Sequence, residues 1–93
     1  MADFGVLWDG RVLDLRPMAF GGWPVVFNPA SRTWASFEGT LGAVADSRPI
    51  TAEEAAALTS GSILSQNEVQ RFAERSVSRR KALLNSTGRR SSP

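Results

Sequence analysis

The alternation of apolar and polar positions is strongest at the start of the chain, where Phe4-Gly5-Val6-Leu7-Trp8 and Arg11-Val12-Leu13-Asp14-Leu15 flank Asp9-Gly10. Asp-Gly between apolar runs is the preferred pair for a two-residue type I′ hairpin turn, because both turn positions need positive φ. That turn predicts Trp8 opposite Arg11, Val6 opposite Leu13 and Phe4 opposite Leu15. One face of the hairpin then carries Phe4, Val6, Trp8, Leu13 and Leu15 into the core. The other carries Leu7, Val12 and Asp14, with Asp14 towards solvent.

Arg16 to Pro24 reads as a loop, punctuated by Pro17, Gly21-Gly22 and Pro24. Val25-Val26-Phe27 and Thr33-Trp34-Ala35-Ser36-Phe37 predict a second hairpin. Asn28 and Pro29 sit at the first and second corners of a type I turn between them. This stretch, from Gly21-Gly22 through Val25-Val26-Phe27-Asn28-Pro29-Ala30-Ser31-Arg32-Thr33-Trp34, resembles one piece of a kelch repeat. A propeller needs several blades of about 50 residues. No such repeat is present, so the likeness is a shared turn solution. Residues 38–50, rich in Gly, Ala and small polar residues, read as a connector ending at Pro49.

Two helices follow. Thr51-Ala52-Glu53-Glu54 is a capping box, and both glutamates favour the positive end of a helix expected over about 52–60. Ser65-Gln66-Asn67-Glu68 is a second box, with Leu64 and Val69 spaced as a hydrophobic staple. The helix it opens is expected over about 66–85, with Val69, Phe72, Ala73, Val77 and Leu84 as its apolar stripe. That stripe thins after Val77, so the helix is expected to project from the body. The fold class expected is therefore α+β: a small antiparallel sheet of two hairpins (about 3–37), then two helices. Residues 1–85 form a single domain, and 86–93, with Gly88 and a terminal Ser-Ser-Pro, a disordered basic tail.

Charge divides this chain sharply. Residues 1–60 hold seven acids and four bases, whereas 61–93 hold two acids and seven bases. Aromatics divide the other way, since Phe72 is the only one of eight beyond residue 37. Arg71, Arg75 and Arg79 stand four apart on the last helix, and Arg80 and Lys81 extend the positive charge. Such a ladder costs a few tenths of a kcal/mol per like pair unless anions relieve it, and a basic stripe is the footprint expected of phosphate contacts. Glu68 and Glu74 soften it, and a solvated basic face with no ligand accounts for the same residues. Leu64-Ser65-Gln66-Asn67-Glu68-Val69-Gln70-Arg71 also resembles the start of a recognition helix in helix-turn-helix proteins. The resemblance implies that Ser65, Gln66, Asn67, Gln70 and Arg71 face base edges or phosphates, with the preceding helix as support. From Ala55 to Val69 the spacing is about one turn longer than that motif, and no third helix precedes it.

Chemistry has little to work with. The chain has no His, Cys or Tyr and a single lysine, Lys81, which removes most general bases, nucleophiles and metal ligands usable near neutral pH. Asp9 is better explained as a turn residue, Glu53 and Glu54 as helix-end residues, and Asp14 as a surface residue. No catalytic residue, no metal site, no cofactor and no small-molecule substrate are expected. No apolar run approaches the ~20 residues that span a bilayer. Met1-Ala2-Asp3-Phe4 lacks a basic, apolar leader, so the expected compartment is the cytoplasm, with no membrane partner.

Two function classes remain. The first is a small non-catalytic nucleic-acid-binding or regulatory protein that uses Gln66, Asn67, Gln70, Arg71, Arg75, Arg79, Arg80 and Lys81 on phosphates and bases. The second is a protein–protein adaptor, inhibitor or assembly component, of the kind phages and plasmids also encode, or a homodimer. It would dock through exposed aromatics or the long helix, with Trp23, set in a Gly- and Pro-rich loop, and Leu84 as contacts. Trp8, Trp23, Phe27 and Trp34 could also form a base-stacking platform, but a chain this short needs them for its core.

Overall fold

The computed structural model describes residues 2–88, with side chains on the last helix described as far as Ala82. The fold is α+β. Five antiparallel strands, β1 (Phe4–Val6), β2 (Val12–Asp14), β3 (Val25–Asn28), β4 (Thr33–Ser36) and β5 (Arg48–Ile50), lie in the order β4-β3-β2-β1-β5. A 3-10 turn (Arg16–Phe20) follows β2, and three helices, α1 (Leu41–Asp46), α2 (Ala52–Leu58) and α3 (Gln66–Gly88), cover the sheet. Leu84 lies beyond the described side chains. Of the expected tail, 86–88 continue α3, and 89–93 lie outside the described residues.

The first hairpin forms, but one residue out of the expected register. Phe4 pairs with Asp14, Gly5 with Leu13 and Val6 with Val12. The reason lies in the turn. Gly10 takes positive φ (90°) and Asp9 does not, so the two-residue type I′ turn is not adopted. Instead Gly10 N–H donates to Leu7 O (2.9 Å) and Leu7 N–H to Arg11 O (2.8 Å). This is the three-residue loop Trp8-Asp9-Gly10, a tight turn followed by a left-handed glycine. The Asp9 carboxylate accepts the Arg11 backbone N–H (3.1 Å) and its Nε–H (2.8 Å), locking the tip.

A shift of one residue exchanges the faces of a strand. Leu7 turns inward and Trp8 leaves the sheet, while Asp14 becomes fully buried, contrary to the expected solvent position. Its carboxylate is satisfied locally. Oδ2 accepts Arg16 Nη2–H at 2.7 Å, and Oδ1 accepts the Arg16 backbone N–H and Nε–H, each at 3.0 Å. Arg16 Nη2 donates onward to Leu64 O (3.0 Å), and its guanidinium stands 5.0 Å from the Phe4 ring centroid. The Asp14 hydrogen bonds hold the Arg16 guanidinium above its ordinary pKa, against the opposing effect of burial.

Both faces of the sheet are covered. On one, Phe4, Val12, Phe27 and Ile50 meet Ala55 of α2, and Val25 meets Leu64 and Val69 at the start of α3. On the other, Leu7 and Leu13 pack with Trp23 and Phe37, with Ala43 and Val44 of α1 lying over them. The second hairpin forms as expected, with Asn28 Oδ1 accepting Ala30 N–H in its turn. The expected connector 38–50 instead contains α1 and β5. Thr40 caps α1, its hydroxyl accepting Ala43 N–H (3.2 Å), and Pro49 occupies an edge strand, where a missing N–H is tolerated.

Both capping boxes form, and the staple residues Leu64 and Val69 share one cluster. Helix α3 is seated by a close approach at Gly22, where a Cβ would lie 2.5 Å from Ala73 Cα and 2.7 Å from Ala73 O. Next to it, Ser76 Oγ accepts Trp23 N–H (2.9 Å) and donates to Phe72 O (2.6 Å). One turn on, Arg80 Nη1 donates to Met18 O (3.0 Å). Trp23 is therefore fully buried, 0% exposed, which reverses the expectation that it is the accessible aromatic. Of the two glycines before it, Gly22 serves this close packing against the helix, and Gly21 takes the left-handed conformation (φ 83°) that ends the 3-10 turn.

These contacts rank three substitutions by urea unfolding. Gly22→Ala should destabilise by about 1–3 kcal/mol through overpacking, and Trp23→Ala by about 3–5 kcal/mol through loss of a buried aromatic. Trp8→Ala should stay within about 0.5 kcal/mol of the parent, as a surface change. A Trp8 variant as damaged as the Trp23 variant would contradict the register.

Candidate interaction surfaces

The residues expected to bind nucleic acid lie on α3, but the helix does not gather them. At about 100° per residue, Gln66, Gln70 and Lys81 fall on one flank, and Arg71, Arg75 and Arg79 on the other. Asn67 and the acidic Glu74 lie between these flanks. Val69, Ala73 and Ser76 are buried against the body, so the seated face separates the two flanks on its other side. Gln66, Asn67, Gln70, Arg71, Arg75 and Lys81 are exposed. The remaining two cations are engaged: Arg80 on Met18 O, and Arg79 with Glu38 at 3.7 Å. The Arg75 guanidinium stands 5.3 Å from the Phe72 ring centroid.

Ser65 belongs to the cap. Its backbone N–H donates to Glu68 Oε1 (2.8 Å) and its hydroxyl accepts Glu68 N–H (3.2 Å). These bonds hold the Glu68 carboxyl below its ordinary pKa, and the Arg71 charge adds a smaller pull in the same direction. The helix-turn-helix arrangement is not reproduced. Seven residues, 59–65, join α2 to α3, where the motif uses about 3–4. Helix α2 packs on β1, while α3 packs on the 3-10 turn.

The aromatics form no stacking platform. Phe27 is buried, and Trp34 is half-buried with its ring 5.2 Å from that of Phe27. The Trp34 indole N–H donates to Ser62 O (2.6 Å). Trp23 is enclosed, and its indole N–H has no acceptor among the described residues. Trp8 differs from all three, at 95% exposed. It stands between two grooves. One, of about 820 Å³, runs from Val6 and Leu7 to Thr40, Ala43, Asp46 and Arg48 on and beside α1. The other, of about 330 Å³, runs from Leu7 and Arg11 past Val26 to Ser36, Phe37 and Glu38. Sequence reasoning missed Trp8 because the two-residue turn placed it in the core. Its available signal was Trp-Asp-Gly itself, which suits a three-residue loop with glycine last.

Three of the carboxylates hold local structure: Asp9 with Arg11, Asp14 with Arg16, and Glu54 on the Thr51 cap. Among the described residues no group of three or more potential ligands could hold a metal ion, and no helix is long and apolar enough to cross a membrane. Comparison with protein-family models, curated proteins and solved structures finds no match to the chain.

The cap chemistry has a measurable sign. With its folded pKa depressed, Glu68 contributes stability that is complete above the unfolded value and lost as pH falls through the folded one. A carbon-13 NMR titration should therefore place the Glu68 midpoint below the ordinary 4.5. A midpoint at or above that value would mean that the box does not hold the ionised carboxylate.

Proposed function

We propose that this chain is a non-catalytic protein–protein module, an adaptor, inhibitor or assembly component, whose principal contact is Trp8. The observation that carries this reading is the near-complete exposure of that indole on a turn pinned by the Asp9–Arg11 pair. A tryptophan brings about 150–250 Å² of burial to a contact, and tryptophans are enriched among the few residues that dominate interface energies. Because the turn is already ordered, little conformational freedom is lost when a partner covers it. The grooves on either side, with apolar Val6, Leu7, Val26 and Ala43 in their walls, supply room for partner side chains around the indole.

A second reading, phosphate binding by α3, is favoured by the exposure of Arg71, Arg75 and Lys81 beside Gln66, Asn67 and Gln70. It ranks lower because Arg80 is held by Met18 O and the polar set is split between flanks.

A photo-crosslinking amino acid at position 8 distinguishes the two. Installed in place of Trp8 and irradiated in cells, it should give a discrete protein adduct. The same group at Leu58, another exposed apolar site, should not. The Trp8 reading fails if the two positions give the same adducts or neither gives any. The phosphate reading takes its place if the protein binds random DNA at ~50 mM salt, loses that binding by orders of magnitude at ~200 mM, and loses it also when Arg71 and Arg75 become Gln.

A further inference from the structure

The two edges of the sheet differ in their backbone chemistry. In an antiparallel strand, successive residues direct their N–H and C=O groups to opposite sides. Phe37 N–H donates to Pro24 O (3.0 Å), and the ladder continues with Val26 opposite Ala35 and Asn28 opposite Thr33. Thr33, Ala35 and Phe37 therefore point their backbone groups into the sheet. Trp34 and Ser36 point theirs outward, at the end of the strand order. At the opposite edge the same alternation, set by Leu7 N–H donating to Arg11 O, turns Phe4 and Val6 towards Ile50 and Arg48 of β5. That leaves Pro49 as the outward residue, and proline has no N–H to offer. Proline and charge are the usual means of closing an edge. β5 has both in Arg48-Pro49; β4, Thr33-Trp34-Ala35-Ser36, has neither.

The open edge lies beside a row of cations. Arg79 reaches Glu38, two residues beyond β4. Phe72 and Trp34 pack against the same cluster of Val25, Leu64 and Val69, and the Arg75 guanidinium stands over Phe72. The flank of α3 that carries Arg75 and Arg79, with Arg71 one turn earlier, is thus the flank on the β4 side. Glu38, a mostly exposed carboxylate at the end of the edge, shows which charge that flank accepts.

We propose that the free edge of β4 accepts, as a sixth strand, an extended acidic segment of a partner protein whose carboxylates pair with Arg75 and Arg79. Strand addition supplies affinity through the Trp34 and Ser36 backbone groups, and alternate side chains supply specificity. A second copy of this chain is the wrong occupant. Its own β4, Thr33-Trp34-Ala35-Ser36, brings no carboxylate to Arg75 and Arg79. This inference does not rest on the Trp8 reading.

The test uses the full chain and a fluorescent peptide of alternating Glu and Val, with its Lys-for-Glu counterpart as control. Anisotropy should show the acidic peptide binding about tenfold or more tightly than the basic one. The largest amide shifts in nitrogen-15 NMR should fall at Trp34 and Ser36, with their amide exchange slowed. Ser36→Pro, which removes one outward N–H, should cost about tenfold or more in affinity. Reversing charge with Arg75→Glu and Arg79→Glu should exchange the peptide preference, a readout that stands even if the proline variant does not fold. Equal binding of both peptides, or shifts confined to α3, would overturn the proposal, as would a peptide-free protein already paired through β4.

Discussion

One extra residue in the turn between β1 and β2 decides which way the side chains of both strands face. With Trp8-Asp9-Gly10 as the loop, Phe4, Val6, Val12 and Asp14 share one face, and Leu7 and Leu13 the other. β2 then stands at the centre of the sheet with all three residues buried. The burial of Asp14 follows directly, because its parity is that of Val12. So does its partner, since an unpaired carboxylate there would be prohibitive. Arg16 meets this need from two residues away, and its further hydrogen bond, to Leu64 O, carries the constraint across to the segment that launches α3.

The seating of α3 shows how a polar helix is held by few contacts. Its apolar stripe is short, and small residues take over part of the work: Gly22 against Ala73, and Ser76 bonded to Trp23. The buried Trp23 backbone N–H needs an acceptor, and Ser76 provides one without the bulk that would push the helix away. Arg80 serves the same seat through Met18 O and is for that reason withdrawn from the basic surface. The Arg79–Glu38 pair is different in kind. It is exposed at Glu38 and therefore contributes little, so Arg79 can exchange its carboxylate for another.

Much of this was legible in the sequence where a local signal names a local structure. Thr51…Glu54 and Ser65…Glu68 announced two helix starts, Asn28-Pro29 the second turn, and the divided charge the basic helix. The losses came where one local signal has two solutions or where tertiary context decides. Asp-Gly suits both a two-residue and a three-residue loop, and the choice exchanges Trp8 with the core. Gly21-Gly22-Trp23 reads as an exposed loop until a helix is laid over it. α1 and β5 were missed because one is six residues long and the other contains Pro49, which is acceptable only where the strand forms an edge. The edge chemistry of β4 requires the strand order, which no periodicity reports.

The surfaces open to a partner follow from the same constraint: Trp8 is outside because the turn has three residues, and the outward pair Trp34 and Ser36 follows from a ladder in phase with it. The most direct test is a set of cross-strand Hα–Hα nuclear Overhauser contacts in the first hairpin. These are strongest between non-hydrogen-bonded pairs, whose Cα atoms approach to about 4.5 Å. The three-residue turn predicts contacts between Phe4 and Asp14 and between Val6 and Val12. Contacts between Leu7 and Val12 and between Gly5 and Asp14 would signify the two-residue turn. They would return Trp8 to the core face and contradict the account.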